Sequence, residues 1–183
     1  MSESIISPIG FSASEDWTVE DFYRFFHQLN ILYNRLYVLE KIKNKGQSRN
    51  LKNAFYGSLS SVSESHRLII KSIEVHSPGD FNLLGVDKII QQLRDLWKDI
   101  SYQNRLTKQR ITEQNRHDKQ MHQLKEVAAM QKLLQNQIKL MHQLGYQEDE
   151  IAQGIKALAD PLEQLVELAN SRKISLKEVS GKE

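Results

Sequence analysis

From Val86 to Leu144 the chain carries neither proline nor glycine, and apolar side chains recur through much of that span at three- and four-residue spacing. Those two residues are the commonest helix breakers, so an uninterrupted, periodic run of this length demands helix. Val86, Ile89, Leu93, Leu96 and Ile100 form a heptad-like seam, which Ile90 and Trp97 widen beyond a strict two-position stripe. As one helix the span would be roughly 88 Å long at about 1.5 Å per residue, too long to fold back into a domain of this mass. It has to protrude, bend or be wrapped by partners.

The middle of the run is its oddest part. Between Gln103 and Gln120 only Leu106 and Ile111 are aliphatic, while Asn104, Thr107, Gln114 and Asp118 fall where the seam would continue. Apolar spacing resumes with Met121, Leu124, Val127, Met130, Leu134, Ile138 and Met141, with a slip of phase near Met130 to Leu134 such as a stutter produces. Two adhesive segments are therefore joined by a polar waist, and Gly145 closes the helix.

The flanks are shorter elements. Residues 1 to 16 hold only isolated apolar side chains among Ser, Pro and Gly, and read as an irregular arm pinned by Ile5, Ile6 and Phe11. Thr18 and Asp21 make a capping-box-like pair ahead of Phe22, Phe25, Phe26, Leu29, Leu32, Tyr33, Leu36 and Leu39, one broad apolar helical face that ends at a left-handed cap on Gly46. Leu51, Phe55 and Leu59, four apart, predict a short helix. The β-branched run from Leu68 to Val75 is the best strand, with Ile69, Ile73 and Val75 on one face. Ser77-Pro78-Gly79-Asp80 suits a type II turn, and Phe81 and Leu83 alternate on a short returning strand. Two strands alone are marginal in water, so this hairpin must pack on the first helix or pair with another subunit. Beyond Gly145, Ile151, Ile155 and Leu158 share a helical face, and Asp160-Pro161 predicts a fresh start for a last helix through Leu162, Leu165, Val166 and Ala169. Residues after Arg172 read as a frayed tail.

The expected fold is thus mainly α: a helical head with a small β-hairpin over residues 1–85, a long coiled-coil-like helix over 86–144 with its waist at 103–120, and a C-terminal helical hairpin and tail over 145–183. The stretch Ile70-Lys71-Ser72-Ile73-Glu74-Val75-His76-Ser77-Pro78-Gly79, followed by Phe81-Asn82-Leu83-Leu84-Gly85 and an amphipathic helix, resembles a recurring element of uncharacterised bacterial proteins, cyanobacterial ones among them. The resemblance implies bacterial origin and a hairpin-then-helix head. It brings no activity, cofactor or site residue with it.

Several chemistries lack their residues. The chain has no cysteine, which excludes disulfides, thiol nucleophiles and cysteine metal sites and suits a reducing compartment. The start Met1-Ser2-Glu3-Ser4 is unlike a secretory signal, and no apolar run approaches the roughly 20 residues of a membrane span, so a cytoplasmic location is expected. Among the six histidines, His117 and His122 diverge on a helix. Asp118 and Glu126 share a face with His122, but a metal site needs three or four ligands. His66 and His76 flank the strand without a partnered carboxylate. Phosphate-binding glycine loops and a Gly-x-Ser-x-Gly elbow are missing. No catalytic, cofactor or metal site is expected.

What remains is association. A non-enzymatic oligomerising or adaptor protein, a scaffold acting through helix–helix contacts, fits best, with a homo-oligomer or another protein as partner. Its interface would be Ile89, Leu93, Leu96, Trp97, Ile100, Leu134, Ile138 and Met141, residues that serve equally well as intramolecular core. The alternative is a nucleic-acid-binding regulator. Residues 86–144 hold eleven basic and six acidic side chains, and residues 145–183 five basic and eight acidic. The basic waist offers Arg105, Lys108, Arg110, Arg116 and Lys119 as phosphate contacts.

Overall fold

The computed structural model describes residues 6–13, 17–45, 51–57, 62–74, 79–110, 117–171 and 174–177, of which 45, 52, 56, 100–110 and 117–126 by backbone alone. Five α-helices and four strands lie among the described residues: β1 (Ile6–Ala13), α1 (Val19–Lys45), α2 (Leu51–Tyr56), β2 (Ile69–Glu74), β3 (Gly79–Val86), α3 (Asp87–Arg110), α4 (His117–Gln143), α5 (Glu148–Ser171) and β4 (Ile174–Lys177). The strands form one antiparallel sheet in the order β2-β3-β1-β4. The mainly helical class stands, but the small hairpin is corrected to a four-stranded sheet and the coiled-coil-like stalk to helices packed on that sheet and on one another.

The first correction concerns the N-terminal arm, which is a strand at the heart of the sheet. Ile9, Phe11 and Ala13 point inward against Leu83, Phe81 and Gly79, while the outward positions are Pro8, Gly10 and Ser12. Those outward residues are strand-poor types, so local propensity reads the segment as loop. Its partners come from distant sequence, which no local signal reports. Pro8 has no N–H to donate, and β4 pairs only with Gly10 to Ala13. The Pro8 carbonyl instead accepts a hydrogen bond from the Arg94 guanidinium at 2.6 Å.

The second correction concerns the long helix. It is two helices, α3 and α4, with residues 111–116 of the waist outside the described residues. Lys132 bonds Asp99 at 2.9 Å and the Gln137 amide donates to Gln92 at 2.9 Å, so the residue numbers rise on one helix as they fall on the other. The pair is antiparallel. Folding back buries Ile89, Leu93, Leu96, Trp97 and Met141 and half-buries Met130, Leu134 and Ile138, while Val127 stays 47% exposed, so each helix supplies much of the apolar face that the other needs.

The C-terminal hairpin is corrected as well. Helix α5 runs unbroken through Pro161, which is buried, and the tail contributes β4. Proline in a helix interior leaves the carbonyl four residues earlier without its donor. Here that carbonyl belongs to Ala157, and it accepts from the guanidinium of Arg35 on α1. A second contact, Arg24 with Glu167 at 3.5 Å, sets α1 antiparallel to α5. Between α4 and α5, Gly145 at φ 79° closes a Schellman motif, with Tyr146 N–H on the Met141 carbonyl and Gly145 N–H on that of His142.

Other local readings hold. Thr18 N–H and hydroxyl both donate to the Asp21 carboxylate, at 2.9 and 2.7 Å, and Asp21 N–H returns to the Thr18 hydroxyl at 3.2 Å. Leu51 and Phe55 of α2 are buried. The cap on Gly46 and the turn residues 75–78 lie outside the described residues.

One core takes residues from every one of these elements except β2, so the three segments read from the sequence share an interior. Phe11 of β1 meets Phe25 of α1 at 5.4 Å and Trp97 of α3 at 4.9 Å, both edge-on. Phe81 of β3 joins them through Trp17 at 5.0 Å and Phe22 at 5.5 Å. Such edge-on pairs add about 0.5–1.5 kcal/mol each beyond the burial of their area.

Candidate functional site

The sheet's two edges differ in what they expose. β4 is four residues long, Ile174 is buried, and its neighbours α3 and α5 close over it. β2 has six residues, of which only Ser72 is even half-buried. Seven large apolar side chains are exposed among the described residues, and three of them sit on this one strand: Ile69 at 50%, Ile70 at 47% and Ile73 at 41%.

The bulge explains how so short a strand shows apolar side chains on both faces. Ile69 lies opposite Leu84 and Ile70 opposite Leu83, then the register shifts so that Ser72 meets Asn82 and Ile73 meets Phe81. Lys71 is the extra residue. Leu83 and Phe81 point inward, so Ile70 and Ile73 share the inner face although they are three apart, while Ile69 points outward. The sequence reading of Ile69 and Ile73 on one face is corrected for that reason: an inserted residue inverts the period-two phase of everything after it. The inner face at β2 projects beyond the helical layer, which leaves both isoleucines at the margin of the core.

The approach to β2 is held firmly. Tyr33 on α1 donates its hydroxyl to the His66 carbonyl at 2.8 Å and accepts from Val86 N–H at 2.8 Å, tying the segment before β2 to the end of β3. Burial pushes the Tyr33 hydroxyl up to about 12, the Val86 bond opposing it. A Cβ on Gly85 would stand 2.7 Å from the Tyr33 ring, so glycine is what lets the ring lie there. His66 Nδ1 lies 2.6 Å from Ser63 Oγ and 3.1 Å from the Tyr37 hydroxyl, whose pKa burial also raises. On the outer face Lys177 reaches past Gly10 of β1 to bond Asp80, which raises the lysine pKa.

The residues expected to carry association lie elsewhere. Ile89, Leu93, Leu96, Trp97 and Met141 are buried in the chain's own core, and Leu134 and Ile138 are partly buried against it. Their intramolecular role, left open by the sequence, is the one observed. Ile100 lies on α3 with its side chain outside the described residues. Of the basic waist, Arg105, Lys108 and Arg110 fall on α3 and Lys119 on α4, all by backbone alone, and Arg116 is outside the described residues, as is His76. His117, Asp118, His122 and Glu126 are on α4, also by backbone alone. No group of three or more metal-ligating side chains occurs among the described residues. A groove of about 300 Å³ between α1, α3 and α4 is lined by three acidic and three basic residues around Leu96, Leu133 and Leu140, so its charges offset one another.

The sequence marks β2 as a strand and leaves its hairpin either to pack on the first helix or to pair with another subunit. Three isoleucines in six residues suit both, and only the place at the edge of the sheet decides between them.

No helix among the described residues is long and apolar enough to cross a membrane. Comparison with protein-family models, with curated proteins and with solved structures gave no match.

Proposed function

We propose that the chain is a non-enzymatic oligomerising or adaptor protein that associates through the open edge of its sheet. The observation that carries this reading is the concentration of exposed isoleucine on β2, the last strand on its side of the sheet, with β3 as its one strand neighbour among the described elements. Edge strands are ready templates for another strand, and native sheets usually cover them or keep them polar. Here β4 follows that rule and β2 departs from it. The contact expected of the helical seam moves to the sheet, because the seam is already engaged within the chain. The alternative of nucleic-acid binding by residues 105–119 has no comparable observation among the described residues.

The test is native-cell expression of the tagged full chain beside its Ile70→Lys/Ile73→Lys variant, with the mass of each assembly measured. The wild type should run above 21.3 kDa and the variant should shift toward that mass. Equal behaviour of the two overturns the reading.

A further inference from the structure

We infer that the strand added to β2 is the β2 strand of a second copy, paired antiparallel so that Ile70 of each chain faces Ile73 of the other. The inference rests on the open-edge reading and names its partner. It follows from the bulge. When a regular strand with an even number of residues pairs end to end with its own copy, every inward side chain is set against an outward one, because first and last residues point to opposite faces. β2 has six residues, and the bulge at Lys71 removes that conflict. In the full-overlap register Ile69 meets Glu74 of the second copy, outward against outward, and Ile70 meets Ile73, inward against inward.

The bulge therefore makes the strand complementary to itself. By two-fold symmetry the four isoleucines gather on the inner face, where each is left at the margin of its own core. Charge complementarity points the same way. Lys71 lies opposite Ser72 of the second copy, which puts Glu74 of that copy two residues along, at the diagonal spacing that long side chains bridge. The symmetry supplies this opposite-charge pair twice. Shifting the register by one residue opposes Ile70 to Glu74 and sets inward positions against outward ones, so the full-overlap pairing is favoured on both counts. The assembly is an isologous dimer with one eight-stranded sheet.

The chain has no cysteine, so a cross-link can be placed cleanly. Purified Ile70→Cys and Ile73→Cys chains, mixed and oxidised, should give a covalent dimer, whereas either alone should give at least tenfold less, since identical positions stand three residues apart along the strands. The wild type in light scattering should show twice 21.3 kDa at micromolar concentration. Ile73→Lys should lower that mass with unchanged circular dichroism. Ile69→Lys should retain or tighten the dimer, because the new ammonium faces Glu74; its loss would indicate face-to-face stacking of outer faces and overturn the inference. A dimer that resists Ile73→Lys overturns both this inference and the reading beneath it. A purified monomer whose native-cell assembly still depends on Ile70 and Ile73 overturns only the inference, with an extended segment of another protein as the occupant.

Discussion

Leu93 on α3 and Ile73 on β2 are both aliphatic residues of amphipathic segments, yet the first is fully buried and the second is 41% exposed. In sequence Leu93 belongs to the longest uninterrupted apolar pattern in the chain and looks surplus to any compact domain. Ile73 belongs to a short strand that suits a core or a subunit contact. The structure decides both for one reason. Helix α3 has α4 folded against it and the sheet beside it, whereas β2 is the last strand on its side. An apolar pattern states that a surface must be covered, and topology states whether the chain itself covers it.

The largest expected effect would break that contrast. Leu93→Asp puts a carboxylate where no solvent reaches, and should destabilise the chain by about 4 kcal/mol or more, enough to unfold a domain of ordinary stability. Ile73→Asp should change stability by less than about 1 kcal/mol, since its side chain already meets water. Urea titrations of the two variants compare them directly, and a Leu93→Asp chain that remains folded would return the seam to the surface.

A smaller effect tests how completely the helical layer satisfies itself. Arg35→Ala strips the donor from the Ala157 carbonyl and should cost about 1–3 kcal/mol. In a Pro161→Ala background the restored N–H can reach that carbonyl, so the same Arg35→Ala change should cost less. A double-mutant cycle with no coupling would show that Arg35 acts through other contacts.

The next effect lies where the two regions join. Tyr33 is raised to about 12 from an ordinary value near 10, mainly by burial. Its neutral form is the one that the fold favours, so the stability linked to it is complete below pH 10. That stability falls as pH rises from 10 through 12. Thermal melts should show this alkaline loss in the wild type and a shallower loss in Tyr33→Phe. The variant should also speed hydrogen exchange at Val86 N–H, which loses its acceptor. Identical alkaline profiles would assign the loss to other groups.

A further modest effect concerns the turn that folds the helical layer. Gly145→Ala meets no neighbouring atom within 4 Å but must hold φ at 79°, at a cost of about 1–2 kcal/mol. The change should leave oligomer mass untouched, which separates helical folding from the β2 edge.

Local chemistry determined a good part of this protein from sequence alone. The Thr18–Asp21 cap, the α1 face, the short α2 helix, the β2–β3 pairing and the stop at Gly145 all follow from residues within a few positions of one another, where side-chain and backbone geometry act directly. Tertiary structure decided the rest. β1 exists as a strand because β3 and β4 supply its hydrogen bonds across long stretches of chain, and Pro161 stays in a helix because Arg35, far away in sequence, takes the carbonyl it leaves. Helices α3 and α4 cover much of each other's described apolar face by turning back, a choice that periodicity leaves open because the same spacing suits a partner from inside the chain or outside it. The candidate site depends on both kinds of cause: three isoleucines legible in the sequence, and an edge position with a one-residue bulge that only strand order and register could set.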